Sequence, residues 1–220
     1  MPKNPRKPKK TDIGKPWQKQ VEPKSYKINR QKITDFFIVC EGQTEKLYFR
    51  SFPVKSAEVQ SVALGTTPPN IVKYAKRNGR EYDQIWCVFD MDYNPQKANQ
   101  KAQFDNAVAA EKGKLRCAYS NDSFELWFVL HFQSCEQSEL RTRHNEILSG
   151  IWKIDYSEEG KKEQFAENIY QRLLNDDNAS QAQAIERAKQ LDHEHSGKPP
   201  HQQNPTTTVY KLVEELNKCL

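Results

Sequence analysis

A chain of 220 residues is ample for a hydrophobic core and allows one domain with appendages, or two small ones. Its mean hydropathy of −0.94 sets part of it outside that core, no apolar run approaches the ~18–20 residues of a membrane span, and the basic N-terminus is not followed by the apolar segment of an export signal. The net charge is +5, but residues 1–32 hold eleven Lys and Arg against Asp12 and Glu22, a surplus of +9 that leaves the rest of the chain at −4.

Residues 1–32 are rich in Lys, Pro and Gln and lack sustained apolar periodicity. Such a stretch buries too little surface to offset its ordering entropy, which predicts a disordered basic arm. The arm is either a solubilising tail or a nucleic-acid contact that exchanges counterions with phosphates. Cys40, Cys87, Cys117, Cys135 and Cys219 form no CxxC pair. They read as reduced core thiols of a cytoplasmic protein.

The first strand is predicted over 35–40. It runs into Glu41-Gly42 and a helix that Pro53 stops. Gly42 permits a sharp turn that aims the helix N-terminus at the strand end, where anions are favoured. A weaker strand over 59–64, a Gly-Pro loop and a helix over 70–78 follow, then a strand over 84–89 that stops at Asp90-Met91-Asp92. After a break at Asn94-Pro95 come a helix over 101–112 with Phe104, Ala107 and Val108 inward, and a strand over 115–119. Ser120-Asn121-Asp122 reads as a capping cluster before an apolar run at 123–132. That run is a helix or a buried strand, and its length and cap favour the helix.

The alternation predicts a Rossmann-like α/β core over 33–133, a mostly parallel four-stranded sheet with helices on both faces. Residues 134–220 read as a helical extension packed on that core, with helical spacing at 139–148, 159–174, 179–191 and 206–220. Asn204 with Pro205 reads as the start of the last helix. His193, His195 and His201 lie in a polar loop and lack the spacing of a zinc site, so a solvated loop is expected there.

Two buried strands that each stop at a carboxylate would, side by side, bring Glu41, Asp90 and Asp92 to one rim, where open α/β sheets place their ligands. Those charges repel unless a hard cation such as Mg²⁺ offsets them. Asp90 and Asp92 suit one shared ion, to which Asn94 offers a carbonyl oxygen. The alternative is that these acids cap turns. Pro95 in the position of the required Gly, and the missing distal Glu, exclude an EF-hand. Packing gives no reason for an acid at position 41, so Glu41 is a candidate general acid or base. Glu125 on the same rim is a candidate ligand or ligand-orienting group, and Thr44, Glu45, Ser120 and Asn121 form a candidate substrate-binding set. Glu45 can instead complement the helix dipole, and Asn121 can cap a helix. P-loop, dinucleotide and G-x-S-x-G motifs are absent from the sequence.

Glu41-Gly42-x-Thr44-Glu45, Val88-Phe89-Asp90-x-Asp92, the run from Ser120 to Trp127, and Asn204-Pro205-Thr206-Thr207-Thr208-Val209 resemble, in order, the motifs of the RloB-like family over nearly everything after the basic arm. That family is similar to the Toprim domains of topoisomerases, primases and overcoming-lysogeny-defect nucleases. The resemblance implies that Glu41 is the general acid/base and that Asp90 and Asp92 hold Mg²⁺ or Mn²⁺. It further implies an anti-phage defence effector or accessory subunit working with an AAA-type ATPase. Asn94 stands where many Toprim sites carry a third acid, which weakens a two-metal mechanism. The expected function is a metal-dependent nuclease acting on RNA or DNA. The alternative is a non-catalytic nucleic-acid-binding adaptor or sensor of an ATPase complex, and a homo-oligomer is compatible with either.

Overall fold

The structure, a computed structural model, describes residues 33–92, 94 and 99–220. The expected basic arm and Pro95 lie outside those residues. Strands β1 (Thr34–Cys40), β2 (Ala57–Ala63), β3 (Gln84–Asp90) and β4 (Leu115–Asn121) alternate with helices α1 (Gln43–Arg50), α2 (Pro68–Asn78) and α3 (Gln100–Val108). The sheet order is β2-β1-β3-β4-β5, where β5 is Thr206–Thr207. The first four strands are parallel, and β5 runs antiparallel to β4.

Strands β1 and β3 are buried almost end to end because both faces of the sheet are covered, and their period of two divides the core. Phe36, Ile38, Cys40, Trp86 and Val88 point to one side, into a large cluster shared with α1 and the later helices. Phe37, Val39, Ile85, Cys87 and Phe89 point to the other, against α2 and α3. In the large cluster lies α4 (Glu125–Leu130), whose six residues are all buried. A helix that is apolar nearly all round cannot sit at a surface. The Trp127 indole donates to the Tyr48 hydroxyl at 2.9 Å, and Tyr48 makes edge contacts with Phe49, Phe52, Phe124 and Phe128 at ring distances of 5.3–5.9 Å.

Five strands replace the expected four. The fifth is only two residues long, and its ladder is completed by side chains rather than by an apolar pattern. Ser120 Oγ and Thr207 Oγ1 are 3.0 Å apart, Tyr119 N donates to Thr208 Oγ1 at 2.9 Å, and Thr208 N donates to Tyr119 O at 2.8 Å. Asn204-Pro205 therefore does not begin a helix. A cis Asn204–Pro205 peptide leads into β5, and α10 (Val209–Asn217) begins after Thr208. Nor do Asn121 and Asp122 cap α4. Asn121 ends β4, and the N-cap residue of α4 is Phe124.

The remaining helices are α5 (Arg141–Trp152), α6 (Tyr156–Glu159), α7 (Glu163–Ala166), α8 (Ile169–Asn175) and α9 (Gln181–Glu194). One helix expected over 159–174 is thus three short ones. The break falls at Gly160, where a Cβ would lie 2.2 Å from the Tyr156 ring. The chain closes onto β2 through Cys219 O, which accepts from Lys55 N at 2.7 Å and Ser56 N at 3.1 Å. No helix among the described residues is long and apolar enough to cross a membrane.

Candidate active site

After β1 the chain turns toward β2, and after β3 it turns toward β4, so the connections part and leave a crevice between the ends of β1 and β3. Glu41 follows β1, with its N–H on Val88 O at 2.9 Å. Asp90 ends β3, and its N–H donates to Glu41 Oε2 at 3.3 Å. One residue pair therefore ties the two strand ends and their acids together. Asp92 lies just beyond with φ of +41°, a region that Asp tolerates better than most residues, and its N–H is held by Asp122 O at 3.1 Å.

From the other side α1 and α4 bring two more acids. Glu45 stands in the first turn of α1, and its carboxylate folds back over Gly42, where any Cβ would meet Glu45 Oε2 at 2.6 Å. Glu125 opens α4 and is as buried as Glu45 and Asp90, each at 6 % exposure. Asp90 Oδ2 accepts from Phe124 N at 3.0 Å, while Asp90 Oδ1 and Glu125 Oε2 are buried without a hydrogen-bond partner. Five carboxylates from four elements thus share one rim.

Arg141, the first residue of α5, projects into this group. Its Nη2 donates to Asp90 Oδ2 at 3.1 Å, its Nη1 lies 3.0 Å from Asp92 Oδ1, and its Nε lies 3.7 Å from Glu125 Oε2. The Arg141 N–H is pinned by Asp122 Oδ2 at 3.0 Å. The Arg141 guanidinium thus stands in for a cation among three of these acids. Burial, then the charges of Glu125 and Glu41, push Glu45 up to about 7. Burial, then the charge of Glu45, raises Asp90 well above the usual carboxylate range despite Arg141. Glu45 holds its proton near neutrality chiefly because it is buried, and the neighbouring carboxylates add to that effect.

Two clefts meet at these acids. One of about 260 Å³ is bounded by Thr44, Glu45, Glu125, Arg141 and Lys161, and one of about 450 Å³ by Gly65, Thr66 and Gln100; both share Glu41, Asp90 and Asp92. A wider cleft, about 630 Å³, lies instead against β2 and the starts of the strands, beside Asp35, Glu58 and Tyr82. Its acids show no such convergence among the described residues, so the rim is the candidate site. All donors there are oxygens, two of them buried and orphaned, which fits a hard dication such as Mg²⁺ or Mn²⁺. The oxygens are not drawn into one tight cage: the trio with all ligand atoms within 4.8 Å of one another, among the described residues, is Cys135, Glu139 and His144. Arg141 lies between the acids instead.

Of the residues singled out from sequence, Glu41, Thr44, Glu45, Asp90, Asp92 and Glu125 come together. Ser120 and Asn121 do not line either cleft. Ser120 is fully buried on Thr207, and the Asn121 side-chain amide donates to Pro200 O and His201 O at 3.3 and 3.2 Å. They hold the strand edge behind the site, since their side chains are used by β5 and the turn before it. Arg141 and Asp122 escape sequence reading as site residues because nothing in the polar stretch before α5 marks an arginine that folds back to the sheet.

A family model described as RloB-like protein matches residues 36–216. No curated protein and no solved structure matches the chain.

Proposed function

The chain belongs to the RloB-like family, and from that premise we propose that its acidic rim cleaves phosphodiesters in RNA or DNA with the help of Mg²⁺ or Mn²⁺, in the manner of a Toprim-like nuclease. The observation that carries this reading is the meeting of Glu41, Glu45, Asp90, Asp92 and Glu125 at one cleft beside Arg141, with Asp90 Oδ1 and Glu125 Oε2 buried and not hydrogen-bonded. A structural role alone gives no reason to gather so many carboxylates at one buried rim.

In this reading Glu41, Asp90 and Asp92 hold the metal with Glu125 beside them, and the bound ion would polarise the scissile phosphate and neutralise charge that develops on its oxygens. Glu45, with a proton affinity near neutrality, and Glu41, tied to the Asp90 backbone, are the two groups placed to move a proton. Thr44 in the first turn of α1 would contact a phosphate, since the positive end of a helix dipole favours an anion. Arg141 either pairs with the phosphate once a metal takes over the acids, or remains on the acids as a permanent plug.

That last possibility supports a second reading, a nucleic-acid-binding adaptor without turnover, because Arg141 bridges Asp90 and Asp92 in the structure. A role in anti-phage defence and an AAA-type ATPase partner rest on the family resemblance, and a cytoplasmic location rests on the cysteines that read as reduced thiols. The deciding experiment incubates the purified full chain with RNA and with DNA in Mg²⁺, Mn²⁺ or EDTA, with and without an AAA-type ATPase partner, beside an Asp90→Asn/Asp92→Asn variant. Metal-dependent cleavage that the double variant lacks is expected. Binding without cleavage in every arm overturns the nuclease in favour of the adaptor.

A further inference from the structure

The ten-residue segment 131–140 joins α4 to α5 without regular structure. It carries Cys135 and Glu139, and one turn into α5 follows His144. The three side chains meet. Cys135 Sγ lies 3.3 Å from Glu139 Oε2, and His144 Nε2 lies 3.8 Å from that same oxygen. Thiol, carboxylate and imidazole ligand atoms all fall within 4.8 Å of one another.

The histidine shows what is missing. His144 is completely buried, and its Nε2 has no hydrogen-bond partner. Its Nδ1 lies 3.2 Å from Ser123 Oγ. If Nδ1 carries the proton and donates to Ser123, Nε2 turns a lone pair toward a carboxylate, acceptor against acceptor. If Nε2 carries it, the nearest acceptor is too far for a hydrogen bond. Either tautomer leaves a buried polar atom unsatisfied, at a cost that a cation between Nε2, the thiolate and the carboxylate removes. The first tautomer is also the arrangement in which a metal-bound histidine is steadied through its other nitrogen.

We propose that Cys135, Glu139 and His144 bind one transition-metal ion of the zinc class, at a site separate from the acidic rim. One sulfur, one nitrogen and one oxygen donor suit a borderline ion such as Zn²⁺ and not Mg²⁺. Binding displaces the Cys135 thiol proton to solvent and leaves a fourth position for water. The ion staples the irregular segment to the first turns of α5, between two of its ligands in sequence stands Arg141, and the metal therefore positions the guanidinium on the acids. This assignment does not depend on the proposed nuclease activity.

The test uses the full chain without a histidine tag, stripped of metal and titrated with Zn²⁺, and separately with Co²⁺ as a spectroscopic substitute. One equivalent of each is expected to bind, and the Co²⁺ form should show a thiolate-to-cobalt charge-transfer band. Cys135→Ser should abolish that band. Cys135→Ser and His144→Gln should each weaken Zn²⁺ at least about tenfold, the scale on which even supporting contacts of metal sites act. Asp90→Asn/Asp92→Asn should leave both readouts intact. Absence of saturable Zn²⁺ binding or of the charge-transfer band in the unaltered chain overturns the proposal, independently of whether any variant folds. So does binding that the Asp double variant loses and the Cys135 and His144 variants keep.

Discussion

The protonation of Glu45 bears directly on the stability of the fold. Its carboxyl is raised from an ordinary value of 4.5 to about 7, chiefly by burial. A carboxyl that binds its proton more tightly when folded favours the folded state below its unfolded value, and that contribution fades as pH rises from about 4.5 through about 7. Glu45→Gln is therefore expected to melt higher than the parent at pH 8 in EDTA, by at most about 3 kcal/mol, and to match it at pH 4. Equal melting at both pH values would contradict the buried, proton-holding carboxyl. For catalysis, Glu41→Gln and Glu45→Gln form a pair. The group that transfers the proton should lose on the order of 10²–10⁴-fold in cleavage rate with metal affinity retained, and if it is Glu45 the limb of the rate profile near neutrality should vanish with it. Parallel loss of rate and metal affinity would make the residue a ligand. Arg141→Met should cost about 2 kcal/mol at pH 8 in EDTA, because it leaves buried acids without their counter-charge. Mg²⁺ should restore more of the melting temperature to this variant than to the parent, since the cation takes the place of the guanidinium; no differential rescue would show that metal and Arg141 do not share the site.

At the scale of elements, β1 and β3 are legible in the sequence because strands buried on both faces are unbroken apolar runs, and a carboxylate at the end of such a run stands out. That carries Glu41 and Asp90 directly to the rim. α4 is legible as a helix from its length, although the expected cap is not the one used. β5 is not legible: two threonines after a proline carry no periodicity, and their strand identity comes entirely from bonds to Ser120 and Tyr119, more than eighty residues earlier. The same separation hides the true roles of Ser120 and Asn121. Arg141 sits at the head of a helix whose existence is predictable but whose contact with the sheet is a tertiary fact. Glu45 is visible in the motif, yet dipole compensation explains it equally well until its burial is known. Thr207→Val tests the β5 reading. The valine keeps the shape and strands the fully buried Ser120 hydroxyl, so a loss of about 1–2 kcal/mol in denaturant unfolding is expected; an unchanged midpoint would mean that the pair contributes nothing.

For the whole molecule, charge is divided between a +9 segment at residues 1–32 and a remainder of −4 that includes the acidic rim. Deleting residues 1–32 should weaken binding to nucleic acid and flatten the dependence of log K on log salt, which scales with the number of phosphates neutralised. An unchanged slope would assign that segment to solubility alone. The antiparallel β5 has one further consequence, for assembly. Thr206, Thr207 and Thr208 are all buried, so that edge of the sheet is sealed inside the fold, whereas β2 at the opposite edge pairs, among the described residues, with β1 alone. A strand edge of that kind is a template for another chain. Because the two ends of the sheet are unlike, a second copy that docked β2 against β2 would use up the edge that the described residues leave unpaired in both molecules. Edge-to-edge growth would stop at a pair, and a fibre has nothing to propagate from.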